Sequence, residues 1–339
     1  MSAASTANTA DEFFHPVGDH GAWSESYYFN FVDPDTGVGA FTRMGFRPND
    51  GWADALHGVY LPNGRVIFTY GRRTDVTPAL INGMGDADPQ VANLTLRRGE
   101  PFRRWEIVYS GEGQDLADPN VMLAATKDRP EGWNRPVHLD MAVTFDAISE
   151  PHYAVGGAQG HFEQTGRVSG SIRVGDEHWD VRGFGVRDKS WGPRTWQAPS
   201  GSAAKKDSPS AVQTGCFINW FSMNFGADLA LGGTCGRTGD GSFRGKGWIQ
   251  RDGETLELTE LTMTTEFNPH NPLLHERVQL RATDSRGDSI VVDGTVLTIC
   301  PTKVPRRDGV TFINEGLARF EAEGRVGFGI SEHWHAVLR

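Results

Sequence analysis

Apolar and polar residues alternate with period two along most of this chain, and sustained helical periodicity is scarce, so the pattern predicts strands. Trp23-Ser-Glu-Ser-Tyr-Tyr-Phe-Asn-Phe31 puts Trp23, Glu25, Tyr27, Phe29 and Phe31 on one face. Val137 to Phe145 alternates as cleanly, with Val137, Leu139, Met141, Val143 and Phe145 opposed to His138, Asp140, Ala142 and Thr144. Asp33-Pro-Asp-Thr-Gly37, Asn49-Asp-Gly51 and Pro62-Asn-Gly64 separate shorter runs in the manner of an antiparallel meander. A second series of strand-length runs begins at Gly215 and ends with Gly327 to Leu338. Two segments depart from the pattern. Gly111 to Arg135 is polar and contains proline, which predicts a loop or short helix over a barrel mouth, and Asn314 to Glu323 hints at helix.

With 339 residues, 42 of them Gly and 18 Pro, the chain suits an all-β protein of two domains. Residues 1–18 read as a flexible N-terminal tail, 19–197 as one domain and 215–339 as another. Between them, 198–214 is rich in Ser, Ala, Pro and Lys, the composition of a loop or linker.

The 10 Trp and 19 Phe supply ample core. A net charge of −10 without clustered cations argues against a nucleic-acid surface. Cys216, Cys235 and Cys300 are an odd, widely spaced set, which suits buried thiols in a reducing, cytoplasmic setting better than a disulfide framework or a zinc motif. Met1 to Ala10 lacks the apolar segment of a secretory signal, and no run reaches the length of a membrane span. Phosphate-cradling loops, a Gly-x-Ser-x-Gly elbow and His-Glu-x-x-His are all absent, so no cofactor is expected.

Chemistry concentrates in Gly183-Phe-Gly-Val-Arg-Asp-Lys-Ser-Trp-Gly-Pro-Arg-Thr-Trp196. Alternation sets Val186, Asp188 and Ser190 against Arg187, Lys189 and Trp191, and a carboxylate on the inward face must be satisfied or functional. Gly327-Phe-Gly-Ile-Ser-Glu-His-Trp334 echoes the stretch with one residue fewer, as if two related halves each end on an acid-bearing strand. Glu25 lies in aromatic company, where burial would raise its pKa unless a cation pairs with it. His333 and His335 share a strand face and suit a polar pocket pair or, with a third ligand that is not evident, a metal. Trp191 and Trp196 could line a cavity or simply be core.

These residues resemble the AttH-like and carotenoid 1,2-hydratase (hydroxyneurosporene synthase) superfamily, through Trp23 to Asn30, Gly183 to Arg194 and Gly327 to Glu332. The resemblance spans most of the chain and implies two tandem lipocalin-like antiparallel β-barrels with a ligand cavity. Members more often carry His after the Asp of the middle motif, where this chain has Lys189. The implied activity is cofactor-independent hydration or dehydration at a C=C bond of a hydrophobic terpenoid or prenylated small molecule. An isomerase or cyclase using the same cavity, or a non-catalytic binder of lipophilic ligands, are the alternatives. On the first reading Asp188 is the acid and Glu25 the base, with the two able to exchange roles, Tyr27 or Tyr28 relays or orients the proton, and Trp23, Trp191 and Trp196 shield a cation. Arg194 would hold a polar end of the substrate or pair with Asp188, His333 and His335 would bind other polar parts, and open edge strands could pair two chains into a homodimer.

Overall fold

The computed structural model describes residues 7–155, 159–194, 215–306 and 309–338. These fall into two compact units, one within Met1–Val59, Ile67–Asp115 and Arg135–Trp196, the other within Tyr60–Val66, Leu116–Asn134 and Gln197–Arg339. Short segments of the first half of the chain thus belong to the second unit. Trp196 and the expected linker at 198–214 lie outside the described residues.

Eleven strands build the first unit: β1 (Trp23–Val32), β2 (Gly39–Arg47), β3 (Trp52–Tyr60), β4 (Val66–Arg73), β5 (Gln90–Val91), β6 (Leu94–Arg98), β7 (Arg104–Leu116), β8 (Arg135–Ala147), β9 (His152–Val155), β10 (Gly160–Val174) and β11 (Glu177–Pro193). Ten of them pair in the order β4-β3-β2-β1-β11-β10-β8-β7-β6-β5, β9 adds to β10, and a further β4–β7 pairing curls the sheet upon itself. Leu139, Met141, Val143 and Phe145 are buried as their alternation requires.

Eight strands close the second unit into a barrel in sequence order: β12 (Gly215–Asn224), β13 (Leu229–Arg237), β14 (Phe243–Arg251), β15 (Glu254–Asn268), β16 (Asn271–Asp284), β17 (Ser289–Arg306), β18 (Gly309–Ala322) and β19 (Arg325–Leu338). This arrangement is the lipocalin-like all-β fold. The two echoing stretches are β11 and β19, and each pairs with the first strand of its own unit, β1 or β12. Their glycines serve close approach: a Cβ on Gly185 would strike the Asn30 carbonyl, and one on Gly329 the Ser222 carbonyl.

Two expectations are corrected, and a third, for Gly111 to Arg135, is met in part. Asn314 to Glu323 is not helical, because nearly all of it lies in β18, paired along its length with β19. Gly111 to Arg135 begins as the end of β7 and continues through 3-10 turns at Pro119–Leu123 and Thr126–Asp128. Residues 9–18 are no loose tail. A 3-10 helix at Thr9–Glu12 is capped by Asn8, and Glu12 is fully buried against an internal guanidinium.

Candidate functional site

Across β1 and β11, Tyr28 stands opposite Asp188 and Glu25 opposite Trp191. Directly opposed residues of an antiparallel pair point to the same side. Trp23, Glu25, Tyr27, Lys189 and Trp191 therefore share one face, and Tyr28, Asp188 and Ser190 the other. The first face is the interior, since Phe29 meets Phe145 of β8 and Tyr27 meets Trp105 of β7, at ring separations of 5.6 and 5.7 Å. Asp188 is thus outward, and it cannot share one reacting centre with Glu25. Alternation separates the two sets correctly but does not say which faces inward.

Inside, the charges are compensated. Lys189 Nζ lies 2.5 Å from Glu25 Oε1, and the two residues are 0% and 1% exposed. His15 adds its backbone N–H to Glu25 Oε2 at 2.9 Å, and its ring stacks on Trp191 with centroids 4.0 Å apart. Burial alone would raise the Glu25 pKa, but the Lys189 ammonium and His15 outweigh it and hold the carboxyl below its usual range. Of the two expectations for Glu25, the cation-paired one holds, with Lys189 as the cation. Beside this pair, Arg187 Nη1 donates to Glu12 Oε2 at 3.1 Å and Arg187 Nε to Gln164 Oε1 at 2.8 Å. Gln164 in turn donates to the carbonyls of Phe102 and Ser149. Burial drives the Tyr27 hydroxyl pKa well up, with the Glu25 charge adding to it, so Tyr27 keeps its proton. These groups form a structural lattice, and Trp23 and Trp191 belong to the aromatic cluster around it with Phe102 and Phe162.

On the outer face of the same strands Asp188 meets an imidazole. Asp188 Oδ2 lies 2.5 Å from His161 Nε2, and Glu163 Oε1 lies 3.5 Å from the same nitrogen. Both partners come from β10, where His161 and Glu163 are two residues apart and so project together. Glu163 is 4% exposed and Ser190 1%. The His161–Asp188 contact is a close ion pair without good hydrogen-bond alignment. Burial would lower the His161 pKa, yet the Asp188 and Glu163 carboxylates override it and raise it above the ordinary histidine value. Arg194 is close enough for its charge to act on both His161 and Asp188. Arg43 and Arg47 share this face through β2, whose Arg43 pairs with Tyr28. Arg43 is bound to Asp54 at 2.8 Å.

His161, Glu163 and Asp188 also present three ligand atoms within 4.8 Å of one another, a spacing that a divalent cation could bridge. Among the described residues no other His, Cys, Asp or Glu group does so. His333 and His335 lie in the second unit, buried in β19.

The chain matches, over residues 8–337, the family described as Domain of unknown function (DUF7064). It belongs to that family. No curated protein matches it in sequence. Among solved structures, an AttH candidate from Nitrosomonas europaea superposes with a TM-score of 0.57 at 14% identity, covering 94% of this chain and 93% of that one. CghA superposes with a TM-score of 0.53 at 11% identity, over 94% of this chain and 89% of its own. CghA with Sch210972 gives 0.52 at 10% identity, with the same coverage. The fold of this DUF7064 chain is therefore AttH-like, as the sequence motifs suggested.

Sequence reasoning passed over His161 and Glu163 because they sit in a Gly-rich stretch. Their His-x-Glu spacing, which puts both side chains on one side of any extended segment, was the signal available.

Proposed function

We propose that this protein is a hydratase or dehydratase that moves a proton to or from a C=C bond of a hydrophobic small molecule, using His161 and Asp188 on the outer face of β10 and β11. The observation that carries the reading is the 2.5 Å contact between His161 Nε2 and Asp188 Oδ2. An imidazole with a raised pKa beside a carboxylate can hold a proton near neutrality and release it to an alkene carbon. In the hydration direction His161 is the acid, and the proton leaves its ring as the C–H bond forms. Water then adds to the cation, and a carboxylate of Glu163 or Asp188 accepts the proton that water loses. Dehydration is the reverse, with each group in the opposite protonation state. Tyr28, opposite Asp188, orients the carboxylate or the water, and Arg194 holds a polar end of the substrate. Glu25 and Tyr27 keep a structural role inside.

Small molecules retained by the purified protein, identified by mass spectrometry, supply the first substrates. Turnover is then followed in oxygen-18 water. Label incorporation on hydration, or a product lighter by one water on dehydration, with Asp188→Asn and His161→Gln each slowing it about 100-fold or more, is the expected result. Rates within about threefold of wild type would overturn the assignment, since positioned proton transfer contributes far more than that. An isomeric product of unchanged mass and without label would make the protein an isomerase or cyclase. A ligand returned unaltered would make it a binder.

A further inference from the structure

The interior of the second barrel is divided by chemistry. Towards the turns at 226–228 and 285–288 it is filled by Phe225, Leu229, Ile249, Leu258, Ile290 and Phe320. Towards the β15–β16 turn it is polar. Contacts that cross the lumen between non-adjacent strands establish which side chains point inward there. His275 Nε2 of β16 donates to the Ser331 carbonyl of β19 at 2.8 Å. Thr265 Oγ1 of β15 lies 3.0 Å from His333 Nε2 of β19, and Asn314 Nδ2 of β18 donates to the Leu273 carbonyl of β16 at 2.6 Å.

Among the described residues, five polar atoms at this end find no hydrogen-bond partner: His275 Nδ1, His333 Nδ1, His335 Nε2, Asn314 Oδ1 and Ser331 Oγ. None of these residues is more than 1% exposed. Buried polar groups are almost always paired, so five orphans at one end of the barrel mark a position where water or another small molecule completes the bonding. Two of them have a fixed sense. His275 gives its N–H to the Ser331 carbonyl, which leaves Nδ1 of the neutral ring as a bare acceptor, and Asn314 Oδ1 can only accept.

We propose that this end of the second barrel binds a neutral small molecule bearing two neighbouring hydrogen-bond donors on an apolar body, as in a catechol or a vicinal diol. Among the described residues, no hydrogen bond or ring contact links a carboxylate or guanidinium to these imidazoles, so a charged ligand would lack the counter-charge its burial demands. A shared metal fits poorly. His275 and His333 stack face to face at 3.8 Å with a 22° tilt, whereas metal ligands aim their lone pairs at a common point. The apolar body would lie against Phe267, which stands edge-on to His333 and His335, and the core beyond. This site does not rest on the proton-transfer reading, which concerns the other unit.

Calorimetric titration of the full chain with catechol and with 1,2-dimethoxybenzene tests it. Catechol should bind one per chain, and the dimethoxy compound, which offers no donor, about tenfold more weakly or worse. His275→Phe and Asn314→Leu should each erase that preference. Nitrogen-15 spectra of histidine-labelled wild-type protein read the same contact where a variant fails to fold, because catechol should move the His275 Nδ1 resonance. Equal binding of the two compounds, no binding of catechol, or an unmoved His275 resonance would overturn the proposal. So would stoichiometric zinc uptake lost in His275→Phe, which would assign the cluster to a metal.

Discussion

Lys189 sets its ammonium 2.5 Å from the Glu25 carboxylate, with both side chains sealed inside the first sheet. The strand that carries Lys189 inward carries Asp188 outward, so one short stretch serves stability on one side and proposed chemistry on the other.

Removing one partner leaves a buried, uncompensated charge. Lys189→Met should destabilise the protein by about 3–5 kcal/mol, while Lys189→Met combined with Glu25→Leu should recover much of the loss. Urea unfolding of the two variants measures the difference. A single variant no worse than the double would deny the pair its role.

His161 should titrate above the ordinary histidine value because Asp188 and Glu163 oppose the effect of burial. Proton NMR of its ring in wild type and in Asp188→Asn reads this directly, and the variant should titrate lower. Linkage gives the sign for stability. A group with a raised folded pKa contributes fully below its unfolded pKa and loses that contribution as pH rises through the folded one.

The remaining buried histidines run the other way. Burial pulls His57 and His335 down to about 4 and His275 to about 3, where they stay neutral in the fold. The unfolded chain takes up their protons first as pH falls below about 6.5, so their contribution drains between there and about 3 to 4. For His57 alone that is roughly 3 kcal/mol. The melting temperature should therefore fall steeply with acid, and His57→Phe should flatten the slope. An unchanged slope would contradict it.

Gly185→Ala would drive a methyl group into the Asn30 carbonyl, whereas a Cβ on Gly236 would meet nothing within 4 Å. Gly185→Ala should cost about 1–3 kcal/mol or more, and Gly236→Ala much less. Thermal melts of the two variants make the comparison.

Much of this was legible in the residues. The alternation of Val137 to Phe145 and the division of Asp188 from Lys189 follow from period two, and the echo between Gly183 and Gly327 marks the closing strand of each unit. Orientation was not legible. Arg187 and Lys189 look like surface cations until Glu12 and Glu25 are seen to neutralise them, and Glu12 is far away along the chain. The same distance hid the docking of residues 9–18, which read as a tail. His161 escaped because its partner Asp188 comes from the neighbouring strand, and a single chain does not disclose which strands meet.

Lys189 and His333 hold the same place in the two Gly-Phe-Gly stretches, one residue past the acid, and in each unit that place projects into the hollow of the sheet. A duplicated address has thus been given two tenants, one an amine answered by a carboxylate, the other a neutral imidazole. Altering that address would reset the polarity of one chamber, and in the first half the answering carboxylate would have to change with it.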